Sequence, residues 1–203
     1  MSMTGALGQT MRIGSLMMQG TLSKTEDGVI EQQPTLPAGS AGVMTDKTDA
    51  DTGKMTLVGT HGITTDDFVD IFWADGCRYG CDVTVVSGQD VTVDVVGFGD
   101  DLPANTTVLV CTKRVTIDTD FDGDLMEMLG MCLQTCTRGH VEFLTEADVS
   151  KLAVELVEGQ LYNFVKDVGA NPLTGDPVGK LQISNGTTTA GVLNFGVLYD
   201  SAS

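Results

Sequence analysis

Aromatic side chains are scarce in this chain: they make up 5% of its 203 residues and include a single tryptophan, Trp73. A core with so few rings has to be filled by Val, Leu, Ile and Met. Bases are scarce as well. Eleven Lys and Arg face 28 Asp and Glu, giving a formal net charge of −17 and an isoelectric point near 4.1. Such a field repels nucleic acid and anionic lipid headgroups at long range. The one adjacent pair of bases, Lys113-Arg114, does not offset it, so no nucleic-acid partner is expected. No run of 18 apolar residues occurs, and no membrane-spanning helix is expected. Residues 1–20 lack the charged and then apolar segments of a secretory signal, so synthesis and first residence in the cytoplasm are expected. Also missing are a P-loop, a G-x-G-x-x-G turn between a strand and a helix, and a G-x-S-x-G elbow.

What the sequence does have is rhythm. Val83-Thr84-Val85, Val91-Thr92-Val93-Asp94-Val95 and Val115-Thr116-Ile117-Asp118-Thr119-Asp120-Phe121 alternate apolar and polar residues, and Gly, Asp, Asn or Pro interrupts about every tenth residue. Alternation at period two puts one face on a core and one in water. Many short runs of this kind predict antiparallel sandwiches or barrels. Asp outnumbers Glu by 21 to 7, which suits turns and strands, because Glu tolerates helices and Asp favours caps and turns. The fold class is therefore all-β, with two small antiparallel sandwich or barrel modules and little helix.

Residues 1–11 have no periodic pattern and read as a flexible arm; an N-terminal β domain over 12–112 and a C-terminal β-sandwich domain over 113–203 follow. In the first domain, strands are expected at 12–22, 29–33, 42–45, 55–58, 68–73, 79–86, 91–96 and 108–111, with Ser87-Gly88-Gln89-Asp90 as a hairpin connection. In the second they are expected at 114–121, 125–134, 140–144, 151–157, 161–166, 178–184 and 192–198. Leu125, Met128, Leu129 and Cys132 also fit a helical stripe, but the neighbouring strands favour β there. One helical turn is expected within 146–155. Asn185-Gly186 is a strong turn signal.

Three sets of residues invite a chemical reading. Cys77 and Cys81, and Cys132 and Cys136, are each separated by three residues, and Cys111 stands alone. Four thiolates can close a tetrahedral zinc site, but structural zinc favours a C-x2-C knuckle. The expectation is reduced core thiols with no metal. Asp118, Asp120, Asp122 and Asp124, with Gly123, match the first half of a calcium-binding loop, whose twelfth position here is Leu129 where a bidentate Glu is needed. A strand ending in an acidic turn explains the same letters, so the four aspartates are a minor calcium candidate. His61 sits in a Gly-rich turn and His140 in a strand, and neither has a nucleophile signature around it. No catalytic residue and no cofactor is expected.

The segment Gly62-Ile63-Thr64-Thr65-Asp66-Asp67-Phe68-Val69-Asp70-Ile71-Phe72 resembles a turn-then-strand element of β-rich phage and prophage virion proteins. Gly76-Cys77-Arg78-Tyr79-Gly80, Ile183-Ser184-Asn185-Gly186-Thr187 and Leu193-Asn194-Phe195-Gly196-Val197-Leu198-Tyr199-Asp200 are similar to the same kind of protein. The resemblance implies a non-enzymatic virion structural protein of the head decoration (cement) type. It would be made in the host cytoplasm, assemble with itself as a trimer, and hold the major capsid protein or other virion proteins. A tail, neck or fibre component is the near alternative. A carbohydrate-binding adhesion module using Trp73, Tyr79 or the Asp-rich loops is a second class, and a carboxylate-dependent depolymerase a third.

Overall fold

The computed structural model describes residues 8–13, 16–21, 28–32, 34–94, 98–105, 108–118, 125–145, 147–165 and 178–200. Among them the chain is all-β with no helix. The strands are β1 (Gly8–Ile13), β2 (Leu16–Thr21), β3 (Gly28–Gln32), β4 (Thr35–Leu36), β5 (Ser40–Lys47) and β6 (Gly53–Leu57). Then come β7 (Phe68–Trp73), β8 (Gly76–Ser87), β9 (Asp90–Asp94), β10 (Phe98–Gly99), β11 (Val108–Lys113) and β12 (Val115–Asp118). The last are β13 (Leu125–Gln134), β14 (Arg138–Leu144), β15 (Ser150–Val157), β16 (Leu161–Val165), β17 (Lys180–Asn185) and β18 (Gly191–Asp200).

Six strands close on themselves in the order β8-β7-β11-β5-β6-β9, because β9 pairs back onto β8. Closure leaves this barrel no free edge among its six members. The alternation seen in the sequence supplies the interior: Met44, Met55, Leu57, Val69, Ile71, Cys81, Val83, Val91, Val93, Leu109 and Cys111 form one buried cluster. β8 and β9 are joined through Gly88-Gln89, and Gly88 takes the left-handed φ of +64° that only glycine adopts without strain.

Two further sheets share a second core. One has the order β12-β17-β14-β15; the other has β16-β13-β18-β3, with β4 also on β18. Leu129, Met131, Leu133, Leu193 and Phe195 meet Val141, Phe143, Leu156, Leu181 and Ile183 between them. β3 and β4 thus precede the barrel strands in the chain yet pair with the last strand, with Ile30 opposite Val197 and Leu36 opposite Gly191.

Residues 125–134 are a strand, as the neighbouring pattern favours. The helical turn expected within 146–155 is replaced by β15, because Leu152, Val154 and Leu156 alternate onto the shared core. Residues 8–11 of the expected arm belong to β1, which pairs antiparallel with β2; the single strand expected at 12–22 is two. Asn185-Gly186 does turn the chain, but from one sheet to the other rather than around a hairpin, since β17 and β18 lie in different sheets.

Candidate functional site

Among the described residues a dense polar cluster lies where the barrel meets the four-stranded sheet, and it is built around one residue. Asp70 stands in the middle of β7, whose two faces are both covered: Val69 and Ile71 face the barrel interior, while Asp70 and Phe72 are also buried. Opposite Asp70 the β7–β8 ladder slips, Val69 pairing with Cys81 and Ile71 with Arg78, so that Tyr79 and Gly80 together oppose one residue. This is a β-bulge, and Gly80 holds its left-handed φ of +64°. The bulge swings Tyr79 out of the barrel, where its ring stacks on His140 of β14 with centroids 3.7 Å apart. It also delivers the Gly80 N–H to Asp70 Oδ1 at 2.7 Å.

Arg114 Nε donates to the same oxygen at 2.8 Å. Oδ2 accepts from Ser184 Oγ of β17 and from His140 Nδ1, the latter at 3.3 Å. An ionised carboxylate has about four acceptor positions, and these partners fill them. Arg114 is the single residue between β11 of the barrel and β12 of the neighbouring sheet. Its Nη1 donates to Glu142 Oε2 and, at 3.1 Å, to Gln182 Oε1. One guanidinium therefore ties a barrel strand to two strands of the next sheet at the point where the chain passes between them. Arg138 adds a second tie, with its guanidinium carbon 4.9 Å from the Phe72 ring centroid and Nη1 donating to the Trp73 carbonyl at 3.1 Å. At the other passage, the Gly39 N–H donates to the Thr187 carbonyl at 2.8 Å and Asn185 Nδ2 to the Pro37 carbonyl at 3.2 Å.

The electrostatics follow from this packing. Burial pushes the Asp70 carboxyl up, but the hydrogen bond from His140, the Arg114 charge and the Ser184 hydroxyl outweigh it and hold the group below the ordinary carboxylate value. Burial pushes Arg114 down, and the Asp70 and Glu142 carboxylates reverse this and raise it.

Serine, histidine and aspartate meet here, but not in the order a nucleophilic relay needs. Ser184 bonds the carboxylate, whereas a nucleophile must face the far nitrogen of the imidazole. That nitrogen, His140 Nε2, is buried without a partner. All three residues are at most 1% exposed. The geometry is that of a sealed joint between sheets.

The other candidates lie apart. Asp118 ends β12 opposite Lys180; Asp120, Asp122 and Asp124 lie outside the described residues. Among the described residues no three His, Cys, Asp or Glu side chains gather in a metal-binding group. His61 spends both ring nitrogens locally, Nε2 on the Gly88 carbonyl at 3.0 Å and Nδ1 accepting from Ile63 N–H at 3.0 Å. Tyr79 is buried on His140, and Trp73 is half-buried at the end of β7.

The five cysteines are free thiols, with Cys81 and Cys111 inside the barrel and Cys136 in the second core. Burial pushes Cys81 up to about 12 and Cys136 up to about 11, and it also holds Cys111 well above the ordinary thiol value. The Cys77 thiol is raised by burial as well, but it alone of the five is not buried. Since the thiolate is the reactive form and must also be reached, a thiol reagent at pH 8 should titrate Cys77 ahead of the other four in the native protein. All five should react after unfolding. Rapid native reaction of two or more thiols would show that the cores are open.

Sequence reasoning did not single out Asp70, Arg114, Glu142, Gln182 or Ser184. The available signals were a charged residue inside the apolar run Phe68-Val69-Asp70-Ile71-Phe72-Trp73 and a glycine inside the β8 run. No family model matches the chain, and no curated protein or solved structure is significantly similar to it.

Proposed function

We propose that this is a non-enzymatic virion structural protein, a head decoration (cement) protein that stabilises a capsid through protein–protein contacts. The reading takes the barrel and the paired sheets as two modules, the barrel inserted between β4 and β12. The observation that supports it is the fate of the reactive groups. The Asp70 carboxylate at the centre of the polar cluster is fully buried with its acceptor positions filled, and the cluster fastens one sheet to another. What the chain offers outward is sheet surface and apolar side chains such as Val58, Val85 and Val149, 72%, 53% and 60% exposed. Such a surface suits work done by contact, and repetition on a symmetric lattice adds avidity to each weak contact.

In this reading the partners are further copies of the chain, as a trimer, and the major capsid protein; nucleic acid and membrane are not partners, and no cofactor is used. The location is the virion, after synthesis in the host cytoplasm. A tail, neck or fibre position is the alternative. The net charge of −17 opposes self-association at low ionic strength, and moderate salt screens it.

Two measurements test the proposal. Sedimentation of the pure chain should show a closed oligomer that strengthens between low and moderate salt. Particles purified from the source of the gene should carry the chain in stoichiometric amounts, visible by immunogold electron microscopy. A chain that stays monomeric at every salt concentration and is absent from particles overturns the reading.

A further inference from the structure

Beside the sealed joint lies a cavity of about 290 Å³, lined by Phe68, Gly80, Phe98, Arg114, Glu142, Leu144, Asp148 and Gln182. Its polar and apolar parts are disposed unequally. Phe68 and Phe98 remain 46% and 41% exposed although each belongs to a strand, and Leu144 continues the apolar wall. At the bottom Arg114, whose side chain is 6% exposed, uses Nε and Nη1 on Asp70, Glu142 and Gln182. Its Nη2 is buried and has no acceptor. Nη2 lies beside Gly80, where a Cβ would come within 3.2 Å of it. A side chain at Gly80 would crowd Nη2, which is closed to solvent as it stands, so a ligand oxygen reaches it from the cavity through a small shift of the cavity wall.

A buried cationic donor without an acceptor is costly, and an oxygen entering the cavity would relieve that cost. Charge decides which oxygen. Arg114 is already flanked by the Asp70 and Glu142 carboxylates, Asp148 lines the cavity, and the chain as a whole carries −17. A carboxylate or phosphate would meet more negative charge than positive, even with Lys180 paired to Asp148 at 2.6 Å. A neutral carbonyl does not meet this opposition. Beside it the two exposed rings and Leu144 accept an apolar group. A peptide supplies this pairing, a neutral carbonyl and an apolar side chain on the same Cα, at each apolar residue.

We propose that the cavity is a docking site for a peptide segment of a partner protein, which inserts an apolar side chain between Phe68 and Phe98 and places a backbone carbonyl on Arg114 Nη2. This goes beyond the virion reading and does not depend on it, since the chemistry holds in any assembly.

N-acetyl-phenylalaninamide serves as the probe, with amide-detected NMR of the full chain as the readout. Saturable shifts are expected at the Gly80 amide and the Arg114 Nε–H. Toluene, which has the ring without an acceptor, should bind about tenfold more weakly, the effect of one hydrogen bond to a charged group. Phenylacetate should also bind more weakly than the capped amide. Phe98→Ala removes a ring that is partly exposed and also packs on Tyr79 and His140; it should abolish saturation and move resonances near those two rings, while amides inside the barrel and the second core stay in place. Arg114→Lys, where it folds, should bring the capped amide down to the level of toluene; where it does not fold, the toluene comparison tests the donor by itself. The inference is overturned if no probe saturates, if toluene or phenylacetate binds as well as the amide, if N-acetyl-lysinamide binds more tightly, or if Phe98→Ala leaves binding unchanged. None of these outcomes bears on whether the chain is found on particles.

Discussion

Replacing Asp70 by alanine should destabilise the fold by about 3–5 kcal/mol, the usual cost of removing one partner from a buried ion pair. Most of that cost comes from what is left behind. Arg114 Nε, the Gly80 N–H, the Ser184 hydroxyl and His140 Nδ1 all lose their acceptor together. Asp70 is fully buried and the stacked Tyr79 and His140 rings close the cluster on one side, so water reaches the abandoned donors only from the cavity beside Arg114 and Gly80. Against a typical total stability of about 5–15 kcal/mol, the loss is large enough to lower soluble yield. Asp70→Asn keeps one acceptor oxygen but removes the charge facing Arg114, so it should fall between wild type and alanine. Urea unfolding of the three proteins measures this. A shift below about 1 kcal/mol for the alanine variant would mean that the joint contributes no more than a surface pair. Hydrogen exchange should locate the damage: amides at Gly80 and in β17 should lose protection before those inside the barrel.

The positions of the strands were largely legible, because alternation at period two is a local property and the barrel interior enforces it. β6 and β9 show why: Met55 and Leu57, like Val91 and Val93, point into one cluster while their neighbours do not. The joint was not legible, for two physical reasons. β7 is covered on both faces, so its sequence carries no clean alternation and Asp70 reads as a lapse in an apolar run. The partners of Asp70 also lie far along the chain, Arg114, His140 and Ser184 being 44, 70 and 114 residues away. Nothing local announces which surface will arrive. The pairing of β3 with β18 is hidden in the same way, since a strand's composition does not name its partner. Gly80 was the clearest missed clue: glycine within a strand marks a bulge or a close approach, and here it marks both. The arrangement of serine, histidine and aspartate makes the complementary point. Their presence together invites a catalytic reading of the trio, and the side of the imidazole on which the serine stands, with the burial of all three, speaks against it.

Acid should act on the same joint, and the sign follows from its geometry. Asp70 is held below its ordinary value of 3.8 in the folded chain because the partners outweigh the effect of burial. A carboxyl whose folded pKa is depressed contributes stability that is present above the unfolded value and is lost as pH falls through the folded one. The contribution of Asp70 should thus be constant from pH 7 down to about 5 and decline as pH falls below about 4. Protonation puts a hydrogen on an oxygen already occupied by donors, and it leaves Arg114 with Glu142 as its one remaining carboxylate partner in the joint. Other carboxylates contribute in the same direction, among them Asp67, which accepts from Thr64 and Lys113 and is also depressed. The wild-type curve alone therefore does not isolate the joint. The difference does: Asp70→Asn cannot titrate at this position, so its stability should fall less steeply with acid, and the two curves should converge at low pH. Urea midpoints measured at half-unit intervals between pH 2.5 and 7 on both proteins give that difference directly. Parallel curves over the acid range would mean that folding does not shift the Asp70 carboxyl, and a wild type that gains on Asp70→Asn as pH falls would mean that the carboxyl is protonated in the folded chain; either result would defeat the ion-pair account of the joint.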